Sequence, residues 1–413
     1  MSGGLVVFVL LARYLGPEVF GLLNFSLAFV GIFLALVLLG MKDIVIRDLV
    51  YENDTRCEIL GSALFLSFVF SIFCYIFVVV GIHILRPLDP QSISLVTILG
   101  LCVFFKPFEV LSFWFEYQIK ARYYVLARNI SFVIFSSLKV YMLLASAEIS
   151  WIASAIVGEA CLTSCLLVYF FQSQTNLLNK LRIAKSRITK LAKDCWPILL
   201  SSMAIILYMR VDQIMLGQLS SDKEVGLYSA AARVSEVWYF IPTILVVSVF
   251  PRMLEIRESS YARYKYQFQA LLDFLLLISM PVIAFFFFFG EPFISYLFGQ
   301  EFSLAGSVLV VNIWASIPVF LGVASSRWLI AEGLQKIILF KTVIIFLANV
   351  AMNFILIPKF GAFGAALATV SCHFFGVFVL DVFFPSAREL WRMKCKSMNF
   401  VSGFIRLTHF KNN

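Results

Sequence analysis

Charge is scarce in this chain. Asp, Glu, Lys and Arg make up 14% of 413 residues, histidine occurs three times, and no HExxH, GxSxG or GxxxxGK[ST] run is present. Those gaps argue against a zinc protease, an α/β-hydrolase and a P-loop NTPase. Eight cysteines form no CxxC pair, so neither a disulfide framework nor a zinc site is indicated. No catalytic residue, metal or cofactor is assigned. Long polar connections are missing too, which argues against a membrane glycosyltransferase or polymerase, since such enzymes keep their chemistry in a sizeable loop domain.

What remains is apolar. The chain is 61% hydrophobic with a mean hydropathy of +0.94 and 45 Phe, far above soluble usage. The expected fold is an all-α integral membrane protein. Apolar spans are read at 21–40, 60–82, 93–115, 129–147, 151–172, 196–217, 226–249, 271–290, 304–324, 341–357 and 362–384. A twelfth, Leu5 to Ala12, is only eight residues long, less than half of what the hydrocarbon layer requires. MSGG puts no basic residue ahead of it, so it does not read as a cleaved signal peptide. The first helix is therefore expected to be truncated, with an upstream stretch missing.

Lys and Arg set the orientation. Alternate loops and the segment after Pro385 hold 25 of the 33, whereas the opposite loops hold Arg13, Arg86, Lys223 and Lys359. The rich side, with the C-terminus, is expected to be cytoplasmic. The longest connection, 173–195, places Leu177, Leu181, Ala184, Ile188 and Leu191 at helical spacing among cations, so a basic amphipathic helix lying on the membrane face is expected over 176–193. The expected organisation is an N-terminal helical lobe at 1–172, a linker at 173–195, a C-terminal lobe at 196–384 and a tail at 385–413.

Similar text recurs on both sides of that linker: PEVFGLLNFSLAF around Gly21 and KEVGLYSAAARV around Gly226. The repeat supports two six-helix lobes related by duplication. ARYLGPEVFG, YMRVDQIMLG, VGLYSAAARVSEVWYFIP, FP near 250 and IPKFGAFGAALATV, in this order around twelve spans, resemble the polysaccharide-export flippases. O-antigen flippases typify that family, whose superfamily (multidrug/oligosaccharidyl-lipid/polysaccharide exporters) also holds multidrug exporters and lipid II flippases. The shortened first helix departs from the pattern. The resemblance implies a transporter, not an enzyme. It would move an undecaprenyl-pyrophosphate-linked oligosaccharide across a bacterial inner membrane by alternating access, with membrane lipids and possible polymerase and chain-length partners. A multidrug cation antiporter on the same plan is the alternative, followed by a lipid-linked-sugar enzyme.

A pyrophosphate needs cations, and those inside spans are Lys106, Lys139, Arg210 and Arg233. Glu109 follows Lys106 by three residues on one helix face, with Pro107 between them. Glu159 lies as far past the next turn as Lys139 lies before it, so an ion pair is expected there. Arg210 and Asp212, two apart, face nearly opposite ways. Arg233 and Glu236 share a face; Asp212 is expected to meet Arg233, leaving Arg210 for Glu236 or for substrate. Tyr208, Gln213, Asn312, Asn349 and Asn353 could line a sugar path or bond neighbouring helices.

Overall fold

The computed structural model describes residues 2–52, 55–400, 403 and 406, and the secondary structure among them is helical throughout. Hydrocarbon offers no partner for backbone N–H and C=O groups, so segments this apolar close their hydrogen bonds within helices. The helices are α1 (Ser2–Val37), α2 (Lys42–Tyr51), α3 (Arg56–Leu85), α4 (Pro90–Gly100), α5 (Cys102–Phe105), α6 (Val110–Tyr117), α7 (Arg122–Leu144), α8 (Ile149–Thr175) and α9 (Lys185–Leu219). They continue as α10 (Asp222–Trp238), α11 (Phe240–Ser259), α12 (Tyr261–Phe298), α13 (Leu304–Asn312), α14 (Ser316–Ala331), α15 (Gln335–Phe374), α16 (Leu380–Phe383) and α17 (Arg388–Ser397).

Nine described stretches are long and apolar enough to cross a membrane. The chain is therefore a multi-pass membrane protein. Two of the nine, Gly3–Tyr51 and Gln335–Phe383, are broken by a glycine outside helical geometry: Gly16 (φ 70, ψ 169) and Gly361 (φ 53, ψ −132). Only glycine adopts these angles without strain. Each broken stretch thus holds two consecutive expected spans, and α9 supplies the span expected at 196–217.

Contacts divide the chain into two compact units, Met1–Leu15 with Leu22–Ile214, and Gly16–Gly21 with Met215–Asn413. Helix α9, unbroken from Lys185 to Leu219, carries both the end of the linker expected at 173–195 and the span expected at 196–217, and the two units part within it at Ile214/Met215. The continuous amphipathic helix expected over 176–193 is corrected. Leu178–Lys180 is a single 3-10 turn, Leu181 is extended (φ −61, ψ 132), and helix resumes only at Lys185. Its stripe faces protein, not lipid: Leu191 is buried in the core of the first unit, with Leu177, Leu181 and Ile188 packed against that core. The backbone is pinned there as well, since Arg182 N donates to Cys57 O (3.2 Å) and Ala184 N to Ser62 Oγ (3.1 Å).

In the second unit the two repeated glycines meet. A Cβ on Gly21 would lie 1.7 Å from Asp222 O, and one on Gly226 would lie 2.0 Å from Pro17 O. Backbones that close exclude any side chain. Beside them Glu224 Oε2 accepts the Ala362 amide at 2.6 Å, capping the helix that restarts after Gly361.

Candidate substrate site

Helix α9 carries YMRVDQIMLG, and its 3.6-residue period separates the two charges. Asp212 is buried and Arg210 is exposed, as their i, i+2 spacing requires. Within the first unit the Arg210 Nε lies 4.0 Å from where a Gly31 Cβ would sit, so the guanidinium runs over a bare patch of α1. Arg210 makes no hydrogen bond or ion pair among the described residues. A guanidinium on a span is costly against hydrocarbon and favours a polar path or the interface.

The other three cations have carboxylates. Lys106 pairs with Glu109 inside the 3-10 turn Lys106–Glu109 that Pro107 enters, and Glu109 also accepts the Tyr124 hydroxyl at 2.9 Å. Lys139 Nζ donates to Glu159 Oε2 at 2.8 Å across the α7–α8 hairpin, with Lys139 almost wholly buried. Arg233 and Glu236 stand 3.8 Å apart, each about half exposed. That distance is long for a hydrogen bond and fits an open ion pair. Asp212 belongs to the first unit and Arg233 to the second.

Among the neutral candidates, Asn349, Asn353 and Asn312 are buried. Asn353 Nδ2 donates to Asn349 Oδ1 at 3.1 Å within α15, whereas the buried Asn349 Nδ2 has no hydrogen-bond partner among the described residues. Gln213, three residues on from Arg210 along α9, and Tyr208, on the face of Asp212, are both partly open.

An inventory of cations inside spans misses two acids in other spans, Asp273 and Asp381. Both are fully buried. Arg406 forks onto Asp273 (Nε–Oδ2 2.7 Å, Nη2–Oδ1 3.0 Å), while Lys341 and Lys394 each reach an oxygen of Asp381 at 2.5 Å. Their positions inside 271–290 and 362–384 were the available signal; their partners lie in what reads as loop and tail. The linker cations are likewise used internally. Arg187 and Lys190 converge on Glu52, whose carboxyl is drawn down to about 2, chiefly by the hydrogen bond from Arg187 and then by that from Lys190.

Similarity to known proteins follows the same lines. Residues 10–306 match the polysaccharide biosynthesis protein family. A probable low-salt glycan biosynthesis flippase of Haloferax volcanii is 27% identical over 173 residues, and a second probable flippase of that organism 28% over 169. These matches take in 41% and 40% of this chain but only 36% and 35% of the relatives' length. Among solved structures, a lipid II flippase in an inward closed conformation superposes with a TM-score of 0.74 at 17% identity, covering 98% of this chain and 89% of that one. An inward-facing multidrug transporter gives 0.66 at 15%, covering 100% and 95%. At such identities the structural likeness speaks for the fold alone, one shared with that lipid II flippase and that multidrug transporter. With more than half its length matched, the chain belongs to the polysaccharide biosynthesis protein family.

Proposed function

We propose that this protein is a flippase that moves a lipid-linked oligosaccharide, carried on undecaprenyl pyrophosphate, from the cytoplasmic to the outer leaflet of a bacterial inner membrane by alternating access. The observation that carries the reading is Arg210: Lys106, Lys139 and Arg233 have carboxylates beside them, and Arg210 has no such partner among the described residues. A substrate pyrophosphate would supply the missing anion, and the planar fork of arginine suits it. Arg233, half exposed, is the second candidate contact, and Lys106 and Lys139 hold their own helices. Asp212 and Glu236 serve pairing, as do Glu159 and Glu109. Gln213, three residues on from Arg210, would meet sugar hydroxyls.

The need for a protein path is physical. Each hydroxyl taken out of water without a replacement bond costs about 1 to 3 kcal/mol, so a sugar chain cannot cross bare hydrocarbon at a useful rate. The lipid tail can stay in the bilayer throughout. On this reading the Lys/Arg-rich loops and the C-terminus are cytoplasmic, and a polymerase and chain-length regulator would receive the product.

Arg210 provides the test, in a flippase-null strain with membrane-inserted protein and surface glycan measured in the same cells. Arg210→Lys keeps the charge and loses the fork, so it should insert normally and export glycan poorly; Arg210→Ala should export less still. Normal export by Arg210→Ala at normal expression would remove Arg210 from the mechanism. Protection against cationic drugs without any glycan export would replace the substrate class.

A further inference from the structure

The last apolar span does not end as an α-helix. After α15 the backbone widens into one π turn, Phe375–Val379, before resuming as α16. A π turn inserts a residue and disturbs the regular ladder, which leaves carbonyls short of donors and makes a natural hinge. Here Val377 O accepts from Lys394 Nζ at 3.1 Å, and the same ammonium holds Asp381 Oδ2 at 2.5 Å. Lys394 is fully buried on α17, so one side chain ties the tail helix both to the hinge and to the residue just beyond it.

Other contacts fasten the same tail to α12. Gln269 Nε2 donates to Met393 O (3.1 Å) and Ser397 Oγ (2.8 Å), and Arg406 forks onto Asp273. Glu389 accepts the Tyr261 hydroxyl at 3.2 Å and pairs with Lys265. The docked tail therefore bridges the start of α12 and the end of the last span.

We propose that residues 388–400, together with Arg406, form a detachable strap whose docking through Lys394 immobilises the π turn and couples the end of the last span to α12. Two features suit it to release. The acids it covers are not orphaned when it leaves, because Asp381 retains Lys341 and Asp273 retains the Gln269 amide at 3.0 Å. The docked ammonium is also held at a cost: burial pushes the Lys394 pKa down to about 8 although Asp381 raises it, with Lys341 adding to the lowering.

The test uses the full chain in lipid nanodiscs, comparing wild type with Lys394→Met and with Gln269→Leu, which loosens the tail from α12 and leaves the π turn untouched. Tryptic cleavage at Arg392 and Lys396 reports undocking; hydrogen exchange of 375–383, against 335–360, reports the hinge. The expected result is at least tenfold faster cleavage in both variants, with at least tenfold faster exchange in 375–383 and unchanged exchange in 335–360. A tail that stays resistant in both variants overturns the strap. A freed tail with 375–383 still protected overturns its hold on the hinge. Exchange rising equally through 335–360 reduces Lys394 to a general packing residue and also overturns the proposal.

Discussion

Lys139, near the end of α7, and Glu159, in the first half of α8, sit 2.8 Å apart across the hairpin with Lys139 almost wholly buried. Removing one member of a buried pair leaves a charge without compensation and costs about 3 to 5 kcal/mol. Lys139→Met and Glu159→Gln should each lower folded yield sharply, whereas exchanging the two residues should restore much of it. A thermal-shift comparison decides, because additive single and double effects would mean no coupling. Glu52 behaves differently, being partly exposed and pulled down to about 2 by Arg187 and Lys190. A carboxyl lowered from 4.5 contributes stability that is fully present above 4.5 and fades as pH falls towards 2. Wild type should therefore lose more melting temperature between pH 5 and pH 2.5 than Glu52→Gln does. Equal losses would deny Glu52 that role.

At the scale of elements, the linker is the instructive case. Its leucines have helical spacing and cations lie between them, which is the pattern of a surface-lying helix. The same pattern also suits a segment that packs on protein, and periodicity cannot say what covers an apolar stripe. Here Gly61 lets the Arg182 backbone approach α3, with only 2.4 Å between a would-be Cβ and Arg182 O, and the cations find Asp48 and Glu52. The repeated EVFG and EVG runs are a second case: the text shows the duplication, and folding brings its two glycines into contact. Gly226→Ala should force backbone apart at Pro17 O and cost about 1 to 3 kcal/mol or more. Gly322→Ala, whose Cβ would meet nothing nearer than 3.6 Å, is the matched control and should be nearly neutral. Comparable losses in both would reject the close crossing.

For the whole molecule, the 25-to-4 split of loop cations predicts sidedness. In a variant that keeps Cys395 alone of the eight cysteines, this exposed thiol on α17 should be blocked by a membrane-impermeant maleimide only in inside-out vesicles. Labelling from the outside of intact cells would invert the proposed topology, and with it the direction of transport.

The sequence by itself determined residence in the bilayer, helicity and the succession of spans, and it proposed which end of each span is basic. These are properties of short stretches, because lipid leaves an apolar segment of about 20 residues no alternative to an internally bonded helix. It also determined that Arg210 and Asp212 part company, since the helical period alone fixes that. Tertiary structure decided which charges find partners. Lys341, Asp381 and Lys394 converge from the start of α15, the end of the last span and the tail helix, and Arg187 reaches Glu52 across 135 residues. Such meetings depend on how each helix is rotated and where its neighbours lie, and no local pattern encodes that. The same packing buried Asn349 and Asn353 and left Arg210 exposed, which turned four candidate cations into one principal candidate.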